Sequence, residues 1–366
     1  MTARDAERGT PASVERSTPA SVVADDRLMA LVDALVVETG ATRNTDLVKA
    51  MVESTMQLAR DGADRLDLKL ARSALAEMAD AFRMFAPYKD IRKVTIFGSA
   101  RTAPSDALYD RTRELARRFA EAGWMVITGA GPGIMAAGNE GAGREMAIGV
   151  NIRLPFEAQP NAWIADDEKL VEMKYFFTRK LMLMKESSGF LVLPGGFGTL
   201  DEAFELLTLI QTGKAEPAPI VLVEPPGERY WEGWERFVTE HVYSRGLADP
   251  LDAALYRITD DLDVAVEEIL GFYANYHSRR FIGRTMVVRL HHAPDEAACA
   301  ELSRRFADIC TPRGIWRTEP YAVERASGDH LELERVAMEF DRFHQGRLRQ
   351  LIDDLNTLPE PEPRDG

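Results

Sequence analysis

Residues 189–202 read GFLVLPGGFGTLDE, and this stretch decides the fold. Gly189 to Leu193 is an uninterrupted apolar run, the mark of a strand buried on both faces. Pro194 ends it, and Thr199 is placed to open a helix. A strand covered on both sides that feeds directly into a helix belongs in a parallel sheet. In the turn, Gly195, Gly196 and Gly198 let bare backbone amides approach an anionic group closely. The positive end of the following helix favours a phosphate there. Thr199 and Glu202 also fit a T-x-x-E capping box, in which both residues would be structural. A cap alone has no need of three glycines, so an anion site is the preferred reading.

Outward from this turn, strands alternate with helices from Ile91 to Tyr276. Strands are expected at Val94–Phe97, Trp124–Ile127, Ala147–Val150, Leu170–Met173 and Ile220–Val223, besides the run before Pro194. Helices are expected between them, and a closing helix from Asp263 to Tyr276. This order implies an α/β fold with a doubly wound, Rossmann-like parallel sheet. Residues 1–25 show no hydrophobic period and are expected to be disordered. Residues 26–90 form a helical segment, with apolar stripes at Leu28, Leu31, Val32 and Leu35 and at Leu47, Met51, Thr55 and Leu58. The Rossmann-like domain is assigned to 91–277. Residues 278–358 form a small α+β module with a β-α-β-β-α order, and 359–366 a flexible tail.

The chain has 366 residues and a formal net charge of −14, with a pI of about 5.1. That balance disfavours nonspecific binding to nucleic acid or to an anionic membrane. No stretch is apolar and long enough to span a bilayer, and the N-terminus lacks the apolar core of a signal peptide. Two cysteines, Cys299 and Cys310, carry no zinc spacing, and a reducing cytoplasm is the expected location. All six histidines lie outside the glycine-rich region, and adjacent His291-His292 reads as solvated surface.

Ligands of an open parallel sheet bind outside the carboxyl ends of its strands. Three glycine-bearing turns fall at such ends: Gly98-Ser99, Gly129 to Gly133 (with Gly131 and Gly133 nearest the helix that follows), and Gly195 to Thr199. Together they point to a small molecule bearing a phosphate. Arg179-Lys180 adds cations. Lys180, taken alone, reads as a solvated surface residue, whereas Phe176-Phe177 and Leu181 to Met184 imply a mostly buried helix around Arg179. A buried guanidinium needs an anionic partner. Asp201 is expected to face elsewhere and Glu205 to be structural, which leaves Glu202 as the acid nearest the anion site.

The PGGFGTLDE segment, Arg179-Lys180 and the turn from Gly129 to Met135 resemble the LOG family, often labelled lysine decarboxylases. Its better characterised members are nucleoside 5′-monophosphate phosphoribohydrolases. The resemblance covers about Ile91 to Tyr276, and Phe176-Phe177 matches the longer bacterial type, where shorter members have Met-His. It implies hydrolysis of the N-glycosidic bond of a nucleoside monophosphate, AMP or a cytokinin riboside monophosphate, to free base and ribose 5-phosphate. Arg179 and Glu202 would be catalytic. Gly98, Ser99, Gly131, Gly133, Met135, Lys180, Gly195, Gly196, Gly198 and Thr199 would bind substrate. The resemblance implies no metal or organic cofactor, and a homo-oligomer of at least two subunits with the site near their interface. A pyridoxal phosphate enzyme would need a Schiff-base lysine and a partner for the ring nitrogen. A nicotinamide enzyme would want an acid after the second strand, where Thr128-Gly129 stands. The remaining alternative is a non-enzymatic nucleotide sensor.

Overall fold

The computed structural model describes residues 19–153 and 159–358. The expectations for 1–18 and 359–366 lie outside the described residues, whereas residues 19–25, expected to be disordered, lie in the helix Pro19–Glu38. The chain divides into two compact units between Ser73 and Ala74. The first holds α1 (Pro19–Glu38) and α2 (Thr45–Arg60), and α3 (Arg65–Phe85) runs across the division. The expected stripes are only partly interior. Of their residues Val32 alone is buried, while Leu31, Leu35, Leu47, Met51 and Leu58 are exposed and α2 buries none; Val36, outside the expected stripe, is also buried.

The second unit is built on a seven-stranded parallel sheet. Its strands are β1 (Lys93–Phe97), β2 (Met125–Thr128), β3 (Ala147–Ile152), β4 (Leu170–Met173), β5 (Gly189–Val192), β6 (Ile220–Val223) and β7 (Tyr256–Thr259). They lie in the order β4-β3-β2-β1-β5-β6-β7. The chain thus builds outward from β1 on one side, then returns at β5 to build the other. That reversal opens a crevice at the carboxyl ends of β1 and β5, where Phe97 pairs with Val192.

Helices cover both faces: α4 (Ala107–Glu121), α5 (Ile134–Met146), α6 (Phe176–Lys185), α7 (Phe197–Gln211), α8 (Tyr230–His241) and α9 (Leu262–Gly271). Phe97, Ile127, Val150, Phe190 and Val192 join one core with side chains of α6 and α7. Val94, Ile96, Val126 and Leu191 join a second core with α4, α5 and α9. β1, β5 and β6 are buried along their whole length, which explains the uninterrupted apolar sequence of β5 and β6. β1 also buries Lys93, whose Nζ donates to Tyr88 O and Ile91 O, and Thr95, which bonds Leu183 O.

The C-terminal sequence differs from expectation. The closing helix stops at Gly271, and the chain enters β8 (Tyr276–Ile282) and β9 (Thr285–Leu290), a hairpin turned by Gly283 at a φ of 61°. There follow α10 (Glu296–Arg305), β10 (Cys310–Arg317), α11 (Ala322–Ser327), β11 (Glu334–Phe340) and α12 (Gln345–Asn356). The order is therefore β-β-α-β-α-β-α, and β8 straddles the boundary drawn at 277/278. The four strands form an antiparallel sheet, β10-β11-β9-β8. α12 seats against Pro250–Leu255, where a Cβ on Gly346 would meet Leu251 O at 2.1 Å. Among the described residues, no helix is long and apolar enough to cross a membrane.

Candidate active site

The three glycine turns meet around Ser99. Its carbonyl accepts a hydrogen bond from Ile134 N at 3.0 Å, and Gly133 must lack a side chain because a Cβ would lie 2.3 Å from that same oxygen. Gly133 also has a φ of 67°, a conformation that glycine adopts without steric cost. From the other side Gly195 packs on Ser99 N and on Thr199 Oγ1, leaving no room for a side chain. A Cβ on Gly98 would strike Ile134, and one on Gly131 would strike Met135. Gly98, Gly133 and Gly195 are required by protein packing, whereas at Gly131 only the flexible end of Met135 stands in the way.

Gly196 and Gly198 are different. The space in front of both is open. α7 begins at Phe197, two residues before the expected start, with Gly196 as its cap residue and no side-chain capping bond. Thr199 is already inside the helix, and the T-x-x-E capping box does not form. The first amides of a helix have no intrahelical acceptor, so α7 opens on bare N–H groups beside two glycines that leave their approach clear. Tyr230 fixes the turn from outside, donating its hydroxyl to Gly195 O at 2.7 Å.

Arg179 and Lys180 leave α6 on different errands. Arg179 Nε donates to Val150 O at 3.1 Å, and a Cβ on Gly129 would lie 2.0 Å from its Nη2. The guanidinium therefore lies across the carboxyl ends of β2 and β3. Arg179 is half-buried, whereas Phe176, Phe177 and Leu181 are exposed. The mostly buried helix expected from their apolar character is not what forms.

Lys180 is only 8% exposed, contrary to its surface reading. Its Nζ lies 2.8 Å from Glu205, 2.9 Å from Asp201 and 3.2 Å from Glu202. Asp201, expected to face elsewhere, thus joins the cluster. Burial acts to lower the Lys180 pKa, but Glu205, Asp201 and Glu202 outweigh it and hold the ammonium above its ordinary value. Glu202 is also 8% exposed. Burial raises its carboxyl above the usual glutamate range, against the opposing pull of Lys180 and Arg179. The result is a desolvated carboxylate one turn from the open end of α7, with two cations nearby.

A polar network that sequence reasoning missed holds the Gly129–Gly133 turn. Thr128 Oγ1 donates to Asn139 Oδ1 at 2.8 Å and accepts from Ala130 N at 3.0 Å. Asn161 Nδ2 lies 2.9 Å from Asn139 Oδ1 and 3.0 Å from Gly131 O, and Asn161 N donates to Ala130 O at 2.8 Å. These bonds hold Ala130 at a φ of 59°, which a side-chain-bearing residue rarely adopts. The available signal was Asn139, a polar residue among small apolar ones in α5. A separate cavity of about 190 Å³ lies between α7, α8 and Pro250–Leu255, and its lining includes none of the predicted site residues.

Residues 132–269 match the family model described as "Possible lysine decarboxylase". A cytokinin riboside 5′-monophosphate phosphoribohydrolase of Mycobacterium tuberculosis is 34% identical over 84 residues, which is 23% of this chain and 40% of that protein. The chain therefore matches less than half the length of this curated relative. Among solved structures, the molybdenum cofactor carrier protein of Chlamydomonas reinhardtii is 21% identical with a TM-score of 0.34, over 48% of this chain and 94% of its own. The molybdenum cofactor binding protein of Rippkaea orientalis is 18% identical with a TM-score of 0.33, over 49% and 94%.

Proposed function

Residues 132–269 belong to the LOG family, and on that premise we propose that this chain hydrolyses the N-glycosidic bond of a nucleoside 5′-monophosphate, AMP or a cytokinin riboside monophosphate. The products are free base and ribose 5-phosphate. The observation that carries this reading is the buried Glu202 carboxylate, placed one helical turn inside the open end of α7, with Arg179 close enough to pull on its pKa.

The 5′-phosphate sits over Gly196 and Gly198, on the first amides of α7 and the dipole behind them. Gly98, Ser99, Gly131, Gly133, Gly195, Thr199 and Met135 shape the crevice around it. Phosphate binding energy then positions the sugar for reaction. As the bond from C1′ to the base breaks, its electron pair leaves with the base and the ribose gains oxocarbenium character. Glu202 stabilises that charge and orients the water whose oxygen bonds to C1′; the proton this water gives up balances the one the departing base takes up to become the free base. Arg179 stabilises the departing base or orients Glu202, its high pKa making it a poor acid. Lys180, held by three carboxylates, moderates their charge beside the substrate. Exposed Phe176, Phe177, Leu181 and Phe197 flank these groups, which supports a homo-oligomer with the site near its interface.

The test is incubation of the purified protein with a panel of nucleoside monophosphates and the matching nucleosides, with products separated by chromatography. Release of base and ribose 5-phosphate is expected from the monophosphates. Equal cleavage of nucleosides would overturn the phosphate-anchoring role. Tight AMP binding without release of adenine would favour the sensor reading instead.

A further inference from the structure

The start of α6 is capped by a residue from a different helix. Its cap residue, Tyr175, is extended (φ −107°, ψ 136°) and its side chain makes no capping bond. Three positions on, at Thr178, a capping box would place a glutamate to reach back to the cap N–H. The chain has a threonine there, and Glu77 of α3 supplies the missing carboxylate. Glu77 Oε2 accepts from Tyr175 N at 3.4 Å and lies 2.7 Å from Thr178 Oγ1, which donates to it. Thr178 is fully buried. Its single proton has Tyr175 O at 2.8 Å as the competing acceptor, and the carboxylate is the stronger of the two. A negative charge at this end of a helix is also favoured by the helix dipole. Glu77 lies 101 residues from Thr178 and outside the segment that the family model matches.

The residue after Thr178 is Arg179. Its backbone is set by the first turn of α6, and its guanidinium is set at the far end by Val150 O and the bare face of Gly129. We propose that Glu77 is a positioning residue for Arg179. By fixing the first turn of α6, the helix preceding the α/β sheet holds the guanidinium in register with Glu202. The kinetic part of this proposal rests on the phosphoribohydrolase reading; the anchoring part does not.

The experiment compares Glu77→Ala and Glu77→Gln with the wild type by two readouts. One is amide hydrogen exchange across residues 175–180, and the other is steady-state hydrolysis of AMP. In Glu77→Ala, exchange at these amides should rise about tenfold, the size of a lost cap, with β1 and β5 unchanged. Turnover should fall about tenfold with KM within about threefold, because a displaced Arg179 affects the reacting geometry more than phosphate binding. Glu77→Gln keeps an oxygen acceptor and should restore both readouts to within about threefold. If Glu77→Ala fails to fold, Glu77→Asp keeps the charge, withdraws it by one methylene, and should show the same two effects. Unchanged exchange in the variant overturns the anchoring. Raised exchange with wild-type turnover overturns the positioning role. Raised exchange in a protein whose wild type releases no base supports the anchoring and overturns the hydrolase reading.

Discussion

The guanidinium of Arg179 occupies the space that a side chain on Gly129 would need, since a Cβ there would fall 2.0 Å from Nη2 and 2.7 Å from Met135 Sδ. Gly129 closes β2, in the position where a dinucleotide-binding sheet would carry an acid. Here the end of the strand is left bare so that a cation from α6 can lie across it.

Gly129→Ala should therefore act through Arg179. The atoms in the way are the far ends of two flexible side chains, so the fold can yield at a cost of about 1 kcal/mol. The guanidinium cannot stay where it is. Turnover of AMP should drop about 100-fold, as expected for a reacting group displaced by an ångström or more. Thermal unfolding and steady-state kinetics on the same preparation check both parts. A variant with full activity would mean that the position of Arg179 over β2 has no bearing on the chemistry.

Glu202→Gln separates chemistry from capping. α7 starts at Phe197 and takes no side-chain cap, so the substitution removes no capping bond. It removes a charge beside Lys180 and, in the proposed mechanism, the group that stabilises the oxocarbenium ion. Turnover should fall by about two orders of magnitude or more while nucleotide affinity changes little. Single-turnover kinetics and equilibrium binding measure the two separately. Hydrolysis at the wild-type rate by a normally folded Glu202→Gln protein would falsify the catalytic assignment.

How much of this was legible in the sequence depended on how local the signal was. β5 and β6 were plain because strands buried on both faces are apolar throughout. β7, at the sheet edge, reads Tyr-Arg-Ile-Thr with only Tyr256 buried, and it carries no such run. β8, Tyr-His-Ser-Arg-Arg-Phe-Ile, is polar along much of its length and carries no strand signal beyond the end of the closing helix expected at Tyr276. The two-residue Gly283-Arg284 turn was the overlooked hairpin signal. At the site, the glycines could be read because their use is local. The start of α7 was misplaced by two residues because Gly196, extended, caps the helix in place of Thr199. The carboxylates around Lys180, Asn161 beneath the Gly129–Gly133 turn and Glu77 at α6 are contacts between distant segments, which no spacing rule reveals.

Lys180→Met tests the coupling between the lysine and Glu202 by pH. Burial raises the Glu202 carboxyl above its ordinary value of 4.5, and Lys180 and Arg179 pull it partly back. The mechanism needs the ionised form, so kcat/KM should fall as pH drops through this raised pKa, and the acid limb of the wild type should lie above 4.5. Removing the ammonium removes a downward pull, so the limb should move to higher pH, and the variant should lose more activity at acid pH than at pH about 8. Stability carries the same sign in a different form. Without Lys180, the ionised Glu202 loses its nearest counter-charge, which raises its folded-state pKa further above that of the unfolded chain. A carboxylate with a raised folded pKa destabilises the fold above that pKa, and this cost is relieved as pH falls through it. The deficit of the variant should thus be largest near neutral pH, about 2 kcal/mol because Asp201 and Glu205 remain partly in water, and should narrow on acidification. Denaturant titrations at three pH values and a pH–rate profile measure the two effects. An acid limb that stays in place while the stability gap narrows would show that Lys180 serves the fold alone, and that the carboxylate governing catalysis is not Glu202.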